Sequence, residues 1–497
     1  MKRDVTVTKN NIMEHSSTIY FPYGELFCKI YVYNFLYRNY NIENVQIRIK
    51  YFELDGTFLE EELVMLDDDA SLILDSKKMP FKRDMVIELS LENSCAIRGI
   101  LRAFADYYNK NVITSVHEQG AYWDSSKDIV AQGNIPLLAT NEIKLYLLIQ
   151  NTHTTKKSIS FNIRIYNYKG ESIIVQGKKL SYREFCKVKV TNKKIIKFLD
   201  GKDGHVCIEY DSYIGRAAYI YLTKKVDYAS ISHAAYWAFD KRPHTALDYY
   251  TDDKNTIQAF VFLAEYKGFN SKVTLYNDYK EKEYFDVEVY DSSGVCIKQF
   301  TKIVVLKSHQ TFSITPEVLK LQNFKGSIKI IAYFENSNPL YVNANYIMEY
   351  NNYRADSAIE FIPYLNVDKA KNMLKTTIVT TGTFHRSRQF CRAINNKKFE
   401  SYLLLSFSSV DNLRIRTKVK ISFISLDGQY SITKYIFLKL NQSIFEKISK
   451  FLSKKELSCL GSYFSVYIRN QQHKVSSFVL VKNKKTNAIG MDHFVGA

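Results

Sequence analysis

Four stretches of the chain alternate apolar and polar residues and then turn back at a glycine. VQIRIKYFELDGTF begins at Val45 and turns at Asp55-Gly56. ISFNIRIYNYKGES begins at Ile159 and turns at Lys169-Gly170. FDVEVYDSSGVC begins at Phe285 and turns at Ser293-Gly294. TKVKISFISLDGQY begins at Thr417 and turns at Asp427-Gly428. Alternation with period two places successive side chains on opposite faces of a half-buried strand. Glycine in second place supplies the positive φ that a tight hairpin needs. The turn glycines stand 114, 124 and 134 residues apart.

Other segments recur in step with these hairpins. CKIYVYNF, IKLYLLIQN, KVTLYND and SYLLLSFSS precede them; RDMVIELSLE, DGHVCIEYD, KGSIKIIAYF and GSYFSVYIRN follow; RGILRAFADYY, GRAAYIYLTKK, LYVNANYIMEY and KVSSFVLVKNKK come last. Six or seven short strands in about 105 residues, with frequent turns, predict an antiparallel β-sandwich. The expected fold is therefore all-β: four tandem immunoglobulin-like sandwich repeats at 18–124, 136–240, 256–366 and 385–497. The segment DSSKDIVAQGN reads as a polar linker, and QSIFEKISKFLSKKEL, at 442–457, has the three-and-four apolar spacing of a helix. Linkers of this length allow either beads on a string or packed pairs.

Each repeat ends on a related phrase. HEQGAYW holds His117, Glu118, Tyr122 and Trp123; HAAYW holds His233, Tyr236 and Trp237; MDHFVGA holds Asp492, His493 and Phe494. The matching place in the third repeat reads NNYRADS and lacks the histidine, while His385 stands just before the fourth. Trp123 and Trp237 are the two tryptophans of the chain. Packing between repeats is the simplest reading, because a Trp-Tyr pair buries a large apolar area. A sugar site is the next: aromatic faces against the ring C–H groups, histidines on the hydroxyls. A metal is a third, since neutral imidazole is a common ligand. The expected ligand-contacting set is Tyr122, Trp123, His233, Tyr236, Trp237, His493 and Phe494, with no metal ligand and no cofactor assigned.

Composition adds limits. The chain has 497 residues, 38 Tyr and 31 Phe against 18 Gly and 7 Pro, a balance that favours strands. Its seven cysteines are scattered singly with no Cys-x-x-Cys pair, which suits a reducing compartment, most simply the cytoplasm. No targeting signal and no membrane span are expected. HEQGA lacks the second histidine of a zincin helix, since Ala121 stands there, and no phosphate-binding loop or nucleophile elbow occurs. The acidic runs LEEELV and LDDDAS lack the spacing of a calcium loop and suit a charged sandwich edge.

Charge is uneven. The net charge is +18; residues 371–497 carry 22 Lys+Arg and 6 Asp+Glu, and 136–240 carry 17 and 9. Arg414, Arg416, Lys418 and Lys420 alternate, so they share one strand face, with Ile415 and Val419 opposite. With Arg386, Arg388 and Arg392 they form the expected anion-binding set. Nucleic acid is disfavoured, because the aromatic residues read as buried at strand spacing.

Two functions follow. The first is a non-enzymatic binding or scaffold protein whose basic last repeat meets an anionic glycan or acidic protein. The second is a carbohydrate-active enzyme with a cleft between repeats, drawing on His117, Glu118, His233, His385, Asp492 and His493. Histidines from separate repeats meeting within a few ångströms favour the enzyme; isolated end phrases favour the binder.

Overall fold

The structure, a computed structural model, describes residues 16–33, 46–66, 71–91, 103–117, 120–121, 129–152, 157–210, 217–233, 235–240, 257–335, 342–360, 362–363, 388–408, 415–470 and 474–496. Among the described residues it is all-β, with several antiparallel sheets and two short helices.

The strands fall into four successive sheet pairs. The first holds β1 (Ser16–Phe21), β2 (Phe27–Tyr33), β3 (Gln46–Phe52), β4 (Phe58–Met65), β5 (Ser71–Asp75), β6 (Met85–Leu91), β7 (Ala103–Tyr108), β8 (Ile113–His117) and β9 (Gly120–Ala121). The second holds β10 (Ile129–Leu137), β11 (Ile143–Gln150), β12 (Ile159–Tyr166), β13 (Ser172–Leu180), β14 (Phe185–Lys189), β15 (Gly204–Tyr210), β16 (Ala218–Thr223), β17 (Ala229–His233) and β18 (Ala235–Asp240). The third holds β19 (Ile257–Tyr266), β20 (Phe269–Tyr276), β21 (Glu283–Asp291), β22 (Cys296–Leu306), β23 (Thr311–Ile314), β24 (Lys325–Tyr333), β25 (Asn343–Tyr350), β26 (Tyr353–Glu360) and β27 (Ile362–Pro363). The fourth holds β28 (Arg388–Ile394), β29 (Phe399–Ser408), β30 (Arg416–Ser425), β31 (Ser431–Lys439), β32 (Ser443–Lys447), β33 (Tyr463–Asn470), β34 (Lys474–Asn483), β35 (Ile489–His493) and β36 (Val495–Gly496).

Strand order recurs. A five-stranded sheet runs β4-β3-β6-β1-β9, then β13-β12-β15-β10-β18, then β31-β30-β33-β28-β36; a four-stranded sheet runs β5-β2-β7-β8, β14-β11-β16-β17 and β32-β29-β34-β35. The third pair has the same neighbours, with its two sheets joined where β19 turns directly into β20. Among the described residues each pair thus has nine strands where the pattern announced six or seven. The additions are the first strand and the last two. The stretch read as a linker at 124–134 contains the start of β10 at Ile129.

Three of the four turn glycines also mark contacts between sheet pairs. Gly56, Gly170 and Gly294 sit at φ +90°, +84° and +90°, where a side chain is strained. A Cβ there would lie 2.8 Å from Tyr182 O, 2.7 Å from Ser308 O and 2.3 Å from Leu440 O, each belonging to the next pair in sequence. Each of these three hairpin tips therefore rests on the backbone of its successor. The apolar cores cross the same boundaries. Leu148, Phe185, Ile220 and Leu222 of the second pair join the core of the first; Tyr402, Leu404, Phe445 and Phe478 of the fourth join that of the third; Tyr31, Phe104 and Ile113 of the first join that of the fourth. Each fully buried side chain of this size is worth about 1.5–3 kcal/mol, so the pairs hold one another and are not separate beads.

The helix expected at 442–457 forms only at its end, where 454–457 open a short helix; its first part is strand. Ser443 and Phe445 are buried alternately on β32, which pairs with β29, and a 3-10 turn follows at Ile448–Lys450. Period two overrode the three-and-four spacing because β29 offers an open edge. The helices found are α1 (Lys193–Leu199), capped by Asn192, and α2 (Lys454–Leu460), opened by a capping box between Ser453 and Glu456.

Candidate functional site

The four-stranded sheets each end in one strand that meets the others at the centre of the molecule: β8 packs beside β17 and β35, and β26 beside β17 and β35. Their registers match. His117 pairs with Phe104, His233 with Ala218, Ser357 with Tyr346 and His493 with Phe478 across the ladder to the preceding strand. The same place in four sheets therefore carries His, His, Ser and His.

These side chains converge. The His117 ring lies 4.7 Å from that of His233 and 4.5 Å from that of His493, and His233 lies 5.2 Å from His493, all edge to face. One nitrogen from each ring falls within 4.8 Å of the other two. Ser357 Oγ lies 3.0 Å from His493 Nδ1. Asp492 Oδ1 lies 3.3 Å from His117 Nδ1 and accepts the His493 backbone N–H at 2.9 Å. His117 is 1% exposed, His233 4%, Asp492 6% and the His493 side chain 13%. Burial pushes the Asp492 carboxyl well above the usual carboxylate range, against the pull of the His493 N–H and the Arg392 guanidinium.

Buried ion pairs flank the cluster. Arg392 of β28 reaches across to Asp106 of β7 at 2.5 Å and bonds to Ser115 of β8, whose hydroxyl also donates to Asp106 at 3.0 Å. Burial raises the Asp106 carboxyl to about 6, and Arg392 opposes the rise. On the other side Arg354 of β26 donates from Nε to Asp356 at 2.7 Å, and its backbone carbonyl accepts from Tyr228, which precedes β17. Asp106 and Asp356 each keep one buried carboxylate oxygen without a hydrogen bond, as does Asp492.

Of the residues singled out by sequence, His117, His233, Asp492 and His493 come together, from three sheet pairs. Glu118, Tyr122, Trp123, His385, Arg386 and Arg414 lie outside the described residues. Tyr236 and Trp237 stand on the edge strand β18, opposite Gly133 and Gln132, so the phrase crosses from one sheet to the other just after its histidine. Phe494 is 1% exposed in the core of the fourth pair and packs there. Arg392 is buried in the ion pair with Asp106, which takes it out of any surface anion site. Arg388 stands on β28.

The basic stripe occupies one solvent face of β30: Arg416 and Lys418 are exposed and Lys420 is half-buried, while Thr417, Val419 and Ile421 point inward. Ile415 precedes the strand and is 75% exposed, not turned to the core. The neighbouring strand β31 displays Tyr435 and Phe437 on the same face, 54% and 64% exposed, with Lys418 Nζ 4.2 Å from the Tyr435 ring centre. The premise that the aromatic residues are all buried fails here. In the first pair the corresponding edge, β4, is acidic, with Glu60, Glu61 and Glu62 exposed.

Sequence reasoning missed Ser357 and Asp106. Only Ser357 had a signal: it ends the RADS that aligns with the histidine phrases.

No family model and no curated protein matches the chain. A solved structure with which it shares local likeness is a calcium-binding mutant of Bacteroides uniformis β-glucuronidase 2, at 9% identity and TM-score 0.13; the match covers 52% of this chain and 28% of that one, and carries no argument about fold or function.

Proposed function

We propose that the protein is a binding or scaffold protein made of four copies of one immunoglobulin-like sandwich, closed around a shared centre, with the basic fourth copy recognising an anionic glycan. The recurrence of strand order and of the hairpin contact supports the four-copy reading. One observation carries the ligand class: Arg416, Lys418 and Lys420 share a solvent face with Tyr435 and Phe437. Cations meet sulfate or carboxylate groups, and exposed rings meet the C–H faces of sugars. The bland alternative is a charged edge that blocks strand addition, and that role needs no exposed aromatic pair.

The test is a glycan array with heparin and DNA as polyanion controls, run on the wild type and on Arg416→Gln/Lys418→Gln/Lys420→Gln. Glycan binding that persists at moderate salt and falls in the variant supports the reading. Equal binding to DNA and heparin, lost together at moderate salt, replaces it with general electrostatics. An acidic protein would leave the array blank.

The catalytic alternative gains one observation: His117, His233 and His493 do meet, beside Asp492. Their burial argues for a centre that organises the molecule over one that admits a polysaccharide. Loss of glycosidase turnover in His233→Gln with the fold intact would restore it.

A further inference from the structure

We propose that His117, His233 and His493 form a binding site for one divalent transition-metal ion of zinc type at the point where the four sheet pairs meet. The proposal is independent of the glycan reading, which rests on a different surface. Three imidazoles from separate parts of the chain have their ligand atoms within 4.8 Å of one another. Zinc binds imidazole nitrogen at about 2.0–2.1 Å in tetrahedral sites, which sets nitrogens roughly 3.3 Å apart. Binding would draw the three nitrogens together by up to about 1.5 Å.

Packing alone does not explain the choice of residue. Edge-to-face rings are favourable, but phenylalanine would supply that contact without carrying ring nitrogens out of water. The partners of the rings fit ligation. His117 Nδ1 faces Asp492 Oδ1 at 3.3 Å, which leaves its Nε2 for the ion, the carboxylate–histidine pairing seen around bound metals. His493 Nδ1 faces the Ser357 hydroxyl, which leaves its Nε2 for the ion. Asp492 is a positioning residue, and its second oxygen is buried without a hydrogen bond beside the cluster. Ser357 takes the fourth corner, where three copies have histidine, so the protein supplies three ligands and leaves a fourth position for water or hydroxide. A bound ion would tie the first, second and fourth sheet pairs together.

The experiment uses the untagged full-length chain, stripped with a chelator and titrated with zinc against a chromophoric competitor. Cobalt is then used as a spectroscopic substitute. One equivalent should bind, tighter than about 1 μM, and cobalt should give the strong visible bands of four-coordination. His233→Gln and His493→Gln should each weaken binding at least about 100-fold, and Asp492→Asn about 10- to 100-fold. His309→Gln, outside the cluster, should change nothing. Should a histidine variant fail to fold, the wild-type stoichiometry and cobalt spectrum decide alone. No stoichiometric binding, a weak six-coordinate cobalt spectrum, or binding that survives both histidine substitutions would overturn the proposal.

Discussion

Replacing Arg392 by Met separates the buried role of this residue from a surface one. Arg392 is 2% exposed, Asp106 is 0% exposed, and Nε and Oδ1 stand 2.5 Å apart across the junction of the first and fourth sheet pairs. Removing the cation strands the carboxylate in a site where burial already raises it to about 6. Breaking a buried pair from one side costs about 3–5 kcal/mol, whereas replacing both partners by apolar residues of similar volume is close to neutral. Arg392→Met should therefore lose about 3–5 kcal/mol, Asp106→Leu a comparable amount, and the double variant should recover most of it. The single Arg392→Met loss should be larger at pH 8 than at pH 5, because at pH 5 the stranded carboxyl is already protonated. Urea unfolding of the four proteins, analysed as a double-mutant cycle, measures the coupling. A loss under about 1 kcal/mol for Arg392→Met, or additive losses in the double variant, would refute the reasoning.

His205 predicts an acid-sensitive fold. It is 0% exposed, stacks on Tyr166 at 4.9 Å, and burial with help from His309 lowers it from 6.5 to about 3. The unfolded chain takes up a proton below 6.5 that the folded one refuses until about pH 3. The stability is thus complete above pH 6.5 and lost as pH falls, by about 1.4 kcal/mol per unit, or roughly 2.7 kcal/mol at pH 4.5. His205→Asn should flatten the stability-versus-pH slope between pH 6 and 4 by about one proton, and an unchanged slope rejects the assignment. On the basic face, the triple glutamine variant should lower the salt slope of heparin binding by up to about three charges.

The hairpins were legible because Val45–Phe58 and its three counterparts alternate cleanly and need glycine at the turn. The second reason for three of those glycines, contact with the next sheet pair, leaves no trace in a single sequence. The central strands carried no strand signal for a physical reason. ITSVH, ASISH, YRADS and IGMDH carry Thr114, Ser115, Ser230, Ser232, Asp356 and Asp492, which are buried against one another at the junction and not exposed to water. Polar residues facing a shared polar interior look like loop until the other strands are in place. The histidine phrase itself was found through the tryptophans beside it, and the matching place in the third sheet pair holds Ser357. Arg392 was assigned to the surface because its partner Asp106 lies far away in the chain, and period two cannot show which buried face holds a charge.

The central claim is that four sandwich units close around one histidine cluster. Small-angle X-ray scattering on the full chain tests it most directly. A compact body of this length has a radius of gyration of about 23 Å. Four separate units in line, each about 13 Å and roughly 30 Å apart, give about 36 Å. The closed arrangement predicts a value near the first figure, with a single-domain scattering profile; a value near the second, with the profile of an extended string, would contradict it.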